Sequence, residues 1–155
     1  MGKVIKIGIS KNQNSHSKLG SCLAPMDSVN EIDVIQGKGI VGDRYFVENN
    51  EKRKQITLIE VENIDFYNKI SNTNIPAIKF RRNIVTKGIK LNDLVGKEFY
   101  IGNVKVKAHD LCRPCKNLEE SLKQKNIVKE FIRKGGLRCE ILSSGKIFIA
   151  DMIKQ

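Results

Sequence analysis

Apolar and polar positions alternate along this chain in short stretches rather than long ones. From Lys3 to Ser10, Ile5, Ile7 and Ile9 fall on one side, the period-two signature of a half-buried strand. Residues 11–28 are polar and turn-rich and read as a long loop carrying His16 and Cys22. Glu31 to Ile35, with Ile32 and Val34 facing together, reads as a second strand, and Gln55 to Ile59 as a third. The period then lengthens. Val61, Ile64 and Tyr67 are spaced for one face of a helix over Glu60 to Ser71. A short strand is predicted at Arg82 to Thr86. Lys97 to Ala108 has the form of a hairpin turning at Gly102-Asn103. Leu118 and Leu122 mark one short helix; Val128, Phe131 and Ile132 mark another, stopped by Gly135-Gly136. Cys139 to Leu142 and Ile147 to Ile149 suggest a closing hairpin around Ser143-Ser144-Gly145. Many short strands with two or three short helices predict a mainly β domain with peripheral helices (α+β), its sheet curled into a barrel.

A length of 155 residues suits a single domain over the whole chain. With 40% hydrophobic residues and mixed charge, the composition is that of a folded chain rather than a disordered one. No apolar run approaches the roughly 20 residues of a membrane span, and the first residues lack the h-region of a secretory signal. A cytoplasmic location with no membrane partner is therefore expected. The four cysteines, at 22, 112, 115 and 139, are then expected to be reduced thiols.

Charge changes the picture more. Twenty-eight Lys and Arg against 17 Asp and Glu give a net charge of +11, which favours anionic partners. The basic residues are scattered, with Lys52-Arg53-Lys54 and Arg81-Arg82 as the tight clusters. Six Phe and three Tyr are not interleaved with them as a base-stacking surface requires, which argues against nucleic acid. An RNA-binding barrel remains an alternative.

Four constellations carry possible chemistry. Gly37-Lys-Gly39-Ile-Val-Gly42 fits a dinucleotide fingerprint, but no helical stripe follows it, so the required context is missing. Asp43 and Arg44 beside it suit either an anion contact or a structural ion pair. His109-x-x-Cys112-x-x-Cys115 offers soft metal ligands, with Cys139, Cys22 or His16 available to complete a zinc shell, or a thioredoxin-like pair. Alternatively one cysteine is a nucleophile or a cofactor ligand. Cys115 precedes a predicted helix and lies between Arg113 and Lys116, a field that favours its thiolate; Cys112 would assist it. Finally, Arg82 and Asn83, with Arg138 after the glycine pair, suit charge-assisted contacts to phosphate.

Taken in order, Gly39-Ile-Val-Gly42-Asp43-Arg44-Tyr45, Arg81-Arg82-Asn83-Ile84-Val85, Leu94-Val-Gly96-Lys-Glu-Phe99-Tyr-Ile101-Gly102, Leu111-Cys112-Arg113-Pro114-Cys115 and Gly135-Gly136-Leu137-Arg138 make a familiar series. It resembles the small stand-alone MOSC family, whose module closes the molybdenum-cofactor sulfurases. The resemblance implies a barrel-like β fold and a role with molybdenum cofactor (molybdopterin) or sulfur. It implies that Cys115 carries persulfide sulfur or binds molybdenum, and that Asp43, Arg44, Arg82, Asn83 and Arg138 hold the cofactor. A sulfur donor such as a cysteine desulfurase is the implied partner. The resemblance is to the MOSC module alone, so neither the pyridoxal-phosphate domain of the sulfurases nor the N-terminal β-barrel domain of the reductases is expected. No pyridoxal phosphate is expected on this chain.

Overall fold

A computed structural model describes residues 2–11, 26–113, 116–124 and 126–155. Strands β1 (Gly2–Ile9), β2 (Asp27–Val29), β3 (Glu31–Ile35) and β4 (Gly39–Ile40) come first. A 3-10 turn at Lys52–Lys54 leads into β5 (Ile56–Glu60), which runs directly into α1 (Val61–Ser71), and β6 (Ile84–Lys87) follows. The hairpin β7 (Glu98–Ile101) and β8 (Val104–Leu111) comes next, then α2 (Lys116–Leu122) and α3 (Ile127–Glu130). The chain finishes with β9 (Leu137–Ile141), β10 (Gly145–Phe148) and β11 (Met152–Lys154).

Hydrogen bonding orders seven strands as β11-β7-β8-β9-β5-β6-β1, and β1 pairs back onto β11 through Gly2↔Ile153 and Lys3↔Met152. The sheet is thereby a closed barrel, which removes the exposed edges that an open sheet leaves. β2 hangs on the far end of β1, where Val29 faces Ile7. β5 and β6 run parallel, with Leu58 beside Ile84. A parallel pair cannot be joined by a tight turn, and α1 lies in the crossover that joins them.

The expected closing hairpin does not form. β10 leaves the barrel and pairs antiparallel with β3, placing Ile147 opposite Ile32 in a second sheet ordered β10-β3-β4. The reason lies in β9, which already has β8 on one side and β5 on the other and so offers no free edge. Residues 11–28 also hold more than loop, because β2 occupies their end.

Two cores result. Alternate residues such as Phe99, Ile101, Val104, Val106, Leu137 and Ile141 fill the barrel, and Ile32, Val34 and Ile147 of the second sheet join the same cluster. Ile59 and Val85 point out of the barrel instead and are covered by the helices. There Phe80 and Phe131 lie 5.1 Å apart by ring centroid, with Tyr67 5.4 Å from Phe131. α3 buries Ile127 and the following Phe131, an i,i+4 pair, whereas Ile132 is 58% exposed. No helix among the described residues is long and apolar enough to cross a membrane.

Candidate functional site

Where β1, β5, β6 and β9 approach the same end of the barrel, their terminal residues and the adjoining turns surround a cavity of about 360 Å³. The turn after β4 is fastened to the end of β1. Asp43 is buried, and its two carboxylate oxygens accept from the backbone amides of Ser10 (2.9 Å) and Tyr45 (3.2 Å). The Arg44 amide donates to the Ser10 carbonyl at 2.6 Å. Asp43 therefore shapes the turn and presents Arg44. The Arg44 guanidinium lies 4.6 Å from the centroid of the half-exposed Tyr45 ring and donates to its hydroxyl. The glycine-rich segment before this turn contains β4, and no α-helix follows it until α1, as the missing helical stripe predicts.

A second arm comes from Arg81, Arg82 and Asn83. Arg81 ends the 3-10 turn Ala77–Phe80 in a left-handed conformation, φ 67°. Arg82 reaches across to the Gly135 carbonyl through Nε at 2.9 Å and to the Phe80 carbonyl through Nη1. The Asn83 amide oxygen accepts from the Thr57 amide (3.0 Å) and hydroxyl (3.1 Å), and its Nδ2 donates to the Gly8 carbonyl. Asn83 thus ties β1, β5 and β6 together at the cavity floor. Burial, and after it the neighbouring Arg44, lower the proton affinity of Arg81. Guanidinium groups held this close repel one another unless an anion sits among them.

The third arm is the β8–β9 pair. Its register shifts between Ala108 and Asp110, a bulge that re-aims Asp110. Asp110 then stands between Arg138 (3.8 Å) and Arg53 (3.7 Å). Arg53, Lys54, Arg113 and Arg138 also line the cavity, bringing its basic residues to seven with Arg44, Arg81 and Arg82.

Cys112 lines the cavity as well but is only 5% exposed. Burial pushes its thiol above the ordinary range, against the pull of Arg82 and Arg138. Its backbone fits only because Gly135 and Gly136 follow closely. The Cys112 amide donates to the Gly136 carbonyl at 2.7 Å, and a Cβ on Gly135 would sit 2.7 Å from the Cys112 carbonyl oxygen. Gly136, at φ 99°, has no room for a Cβ either, because it would overlap the Leu58 carbonyl. Sequence reasoning takes this pair as a helix stop; α3 ends earlier, at Glu130, and the glycines serve close approach.

Cys115, the residue singled out first, lies outside the described residues, as do Cys22 and His16. Arg113 and α2 flank the position of Cys115 in the chain. His109 Nε2 is 2.9 Å from Glu140 Oε1. Among the described residues no group of three or more His, Cys, Asp or Glu is arranged to hold a metal ion. Cys139 is fully buried in the barrel core.

Two features escape sequence reasoning. Ser10 is 2% exposed, lines the cavity, and its Oγ has no hydrogen-bond partner among the described residues; the buried Nε of Arg44 is in the same state. Arg53 and Lys54, part of a tight basic cluster in the sequence, stand on the same cavity. Polar atoms buried without partners are costly, and their concentration here points to a ligand that would satisfy them.

The fold is shared with several solved structures. YiiM from Geobacillus stearothermophilus superposes with a TM-score of 0.77 at 16% identity, covering 99% of this chain and 74% of that one. The YUAD protein from Bacillus subtilis gives 0.76 at 17% identity, covering 99% and 94%. YiiM from Escherichia coli gives 0.68 at 15%, covering 99% and 69%. No curated protein matches the sequence. The family model for the MOSC domain matches residues 36–154, which includes most of the barrel and all three arms of the cavity except the end of β1. The chain belongs to the MOSC domain family.

Proposed function

We propose that the basic cavity binds molybdenum cofactor by its phosphate and that Cys115 presents its sulfur to that group. The observation that carries this reading is the gathering of Arg44, Arg81 and Arg82 beside two buried polar atoms, Ser10 Oγ and Arg44 Nε, that lack partners among the described residues. Guanidinium forks match phosphate oxygens in geometry and charge, and partly buried ones hold them more strongly than solvated ones. The residues therefore fit a phosphorylated group with additional hydrogen-bonding atoms. When bound, the cofactor supplies redox-active metal–sulfur chemistry. The chain's own part is to bind and orient: Asp43 fixes the turn that carries Arg44, and Asn83 and Arg82 lock the floor. The thiol of Cys115, between Arg113 and Lys116, is the proposed sulfur ligand or sulfur acceptor.

Metal and pterin analysis of protein purified from molybdenum-replete cells tests this directly. Near-equimolar molybdenum and pterin are expected, both sharply reduced in Arg44→Ala. Protein free of both, from cells that load other molybdenum proteins, overturns cofactor binding. If the thiol instead accepts sulfur from a cysteine desulfurase, incubation with that enzyme adds the mass of one sulfur atom, and Cys115→Ser abolishes the gain. Retention of the added sulfur by Cys115→Ser removes that residue from the role. Zinc without pterin would replace the reading with a structural metal.

A further inference from the structure

Cys112 and Arg113 form a wall with a cavity on each side. Behind the basic one lies a second hollow of about 540 Å³, and its chemistry differs. Val95, Leu111, Val128 and Ile132 supply half of its eight lining residues, and Val95 and Ile132 are 38% and 58% exposed. Two cations stand at its edge, Arg113 and Arg133, neither in an ion pair with a carboxylate among the described residues. Asp110 also faces this hollow, but Arg53 and Arg138 of the basic cavity offset its charge. Its buried Oδ1 lies within ion-pair reach of Arg138 yet accepts no hydrogen bond.

We propose that this second hollow is a binding site for a small carboxylate with an aromatic or aliphatic body. The apolar body covers the four aliphatic side chains, and the carboxylate is taken by Arg113 and Arg133. Concave, partly apolar walls with a few polar groups are the general form of small-molecule sites, and a guanidinium fork matches a planar carboxylate. A ligand here meets the Cys112–Arg113 wall from the side opposite the phosphate-binding cavity. The hollow thus names the class of second reactant for that site, and its purpose, though not its binding, rests on the cofactor reading.

The probe is 3-phenylpropionate, titrated calorimetrically against the full chain, with uncharged 3-phenylpropanol as control. Saturable binding is expected for the acid, with the alcohol weaker by about tenfold, or about 1.4 kcal/mol. Arg133→Asn, chosen because φ is 62° there and Asn tolerates that conformation, should weaken binding by about tenfold. Ile132→Asp should abolish binding with an unchanged melting temperature, since the side chain is exposed. Arg44→Ala, in the other cavity, should leave 3-phenylpropionate binding as it was. Absence of saturable binding, equal binding of the alcohol, or sensitivity to Arg44→Ala but not to Arg133→Asn overturns the proposal. Pterin content of the same preparations separates the two readings: acid binding that responds to Arg133 in pterin-free protein removes the cofactor and leaves this site standing.

Discussion

Cys139 and Cys112 belong to the same stretch of barrel wall but to two different environments. Cys139 is opposite Ile56 on one neighbouring strand and Ala108 on the other, with no exposed surface. Cys112 lies just past β8, at the rim, among guanidinium groups. Burial raises the proton affinity of both thiols, but the two cations that oppose it act on Cys112. In the barrel, apolar side chains fill the space and even the buried Gln55 has partners, its Oε1 accepting from the Ile141 amide and its Nε2 donating to the Asn50 carbonyl. At the rim, like charges crowd together and buried polar atoms wait for partners. The interior is organised for stability, and the rim keeps a stability cost that a ligand would offset.

The largest test of that contrast lies where the two regions meet. Gly136→Ala should cost on the order of 4 kcal/mol in chemical denaturation, because strain at φ 99° adds to overlap with the Leu58 carbonyl. Leu58→Ala, wholly inside, should cost about 3 kcal/mol. A loss below about 1 kcal/mol in either would mean the seam yields more easily than its packing allows.

Alkaline pH probes the interior next. A thiol with raised proton affinity in the folded chain stays protonated where the unfolded chain has begun to lose its proton, from the ordinary value of 9.0 upward. The folded state then binds more protons, so stability is full below pH 9.0 and falls as pH rises above it. The slope is about 1.4 kcal/mol per pH unit for each thiol ionised only on unfolding. Cys139→Ala should flatten that slope in urea titrations run across pH values; an unchanged slope would count against a protonated interior thiol.

The smallest effect is at the rim. Arg81→Asn, which suits the left-handed backbone there, should change stability by less than about 1 kcal/mol, because relief of burial and of repulsion from Arg44 and Arg82 is set against lost attraction to Tyr45 and Asp43. It should also reduce the stabilisation that added pyrophosphate gives the wild type, read as the shift in urea midpoint. A larger loss of stability, with the pyrophosphate response intact, would place Arg81 in the framework instead of the site.

Elements whose partners are local were legible in the sequence. Val104, Val106 and Ala108 alternate inward as their spacing predicts, and the Gly102-Asn103 turn joins β7 to β8. Of the α1 stripe Val61, Ile64 and Tyr67, the last two are buried and Val61 is partly buried against the same cluster. Pairings set by distant chain were not. Ile147 reads as a hairpin partner of the preceding strand because adjacency is the simplest inference, but its place opposite Ile32 depends on which barrel edges are already taken. At the site, Arg44, Arg82, Asn83 and Arg138 do converge on one cavity, as the ordered motifs suggest. Their division of labour was hidden. Asp43 reads as either an anion contact or half of a structural ion pair, and Asn83 as a phosphate contact; the hydrogen bonds of both to backbone far away in sequence, at Ser10 and Gly8, are not foreseeable from spacing. Ser10 itself gave little signal beyond ending an alternating strand.

The pairing of Gly2 and Lys3 with Ile153 and Met152 has a temporal consequence. A ring of strands cannot be completed by neighbours alone; its last link joins β1 to β11, with every other barrel strand lying between them in the chain. Until β11 leaves the ribosome, β1 and β7 each lack the partner that closes the ring, and loop closure over so long a span is slow. Chains in which β11 has yet to pair would present open strand borders to one another, which makes that short strand a safeguard against association during synthesis.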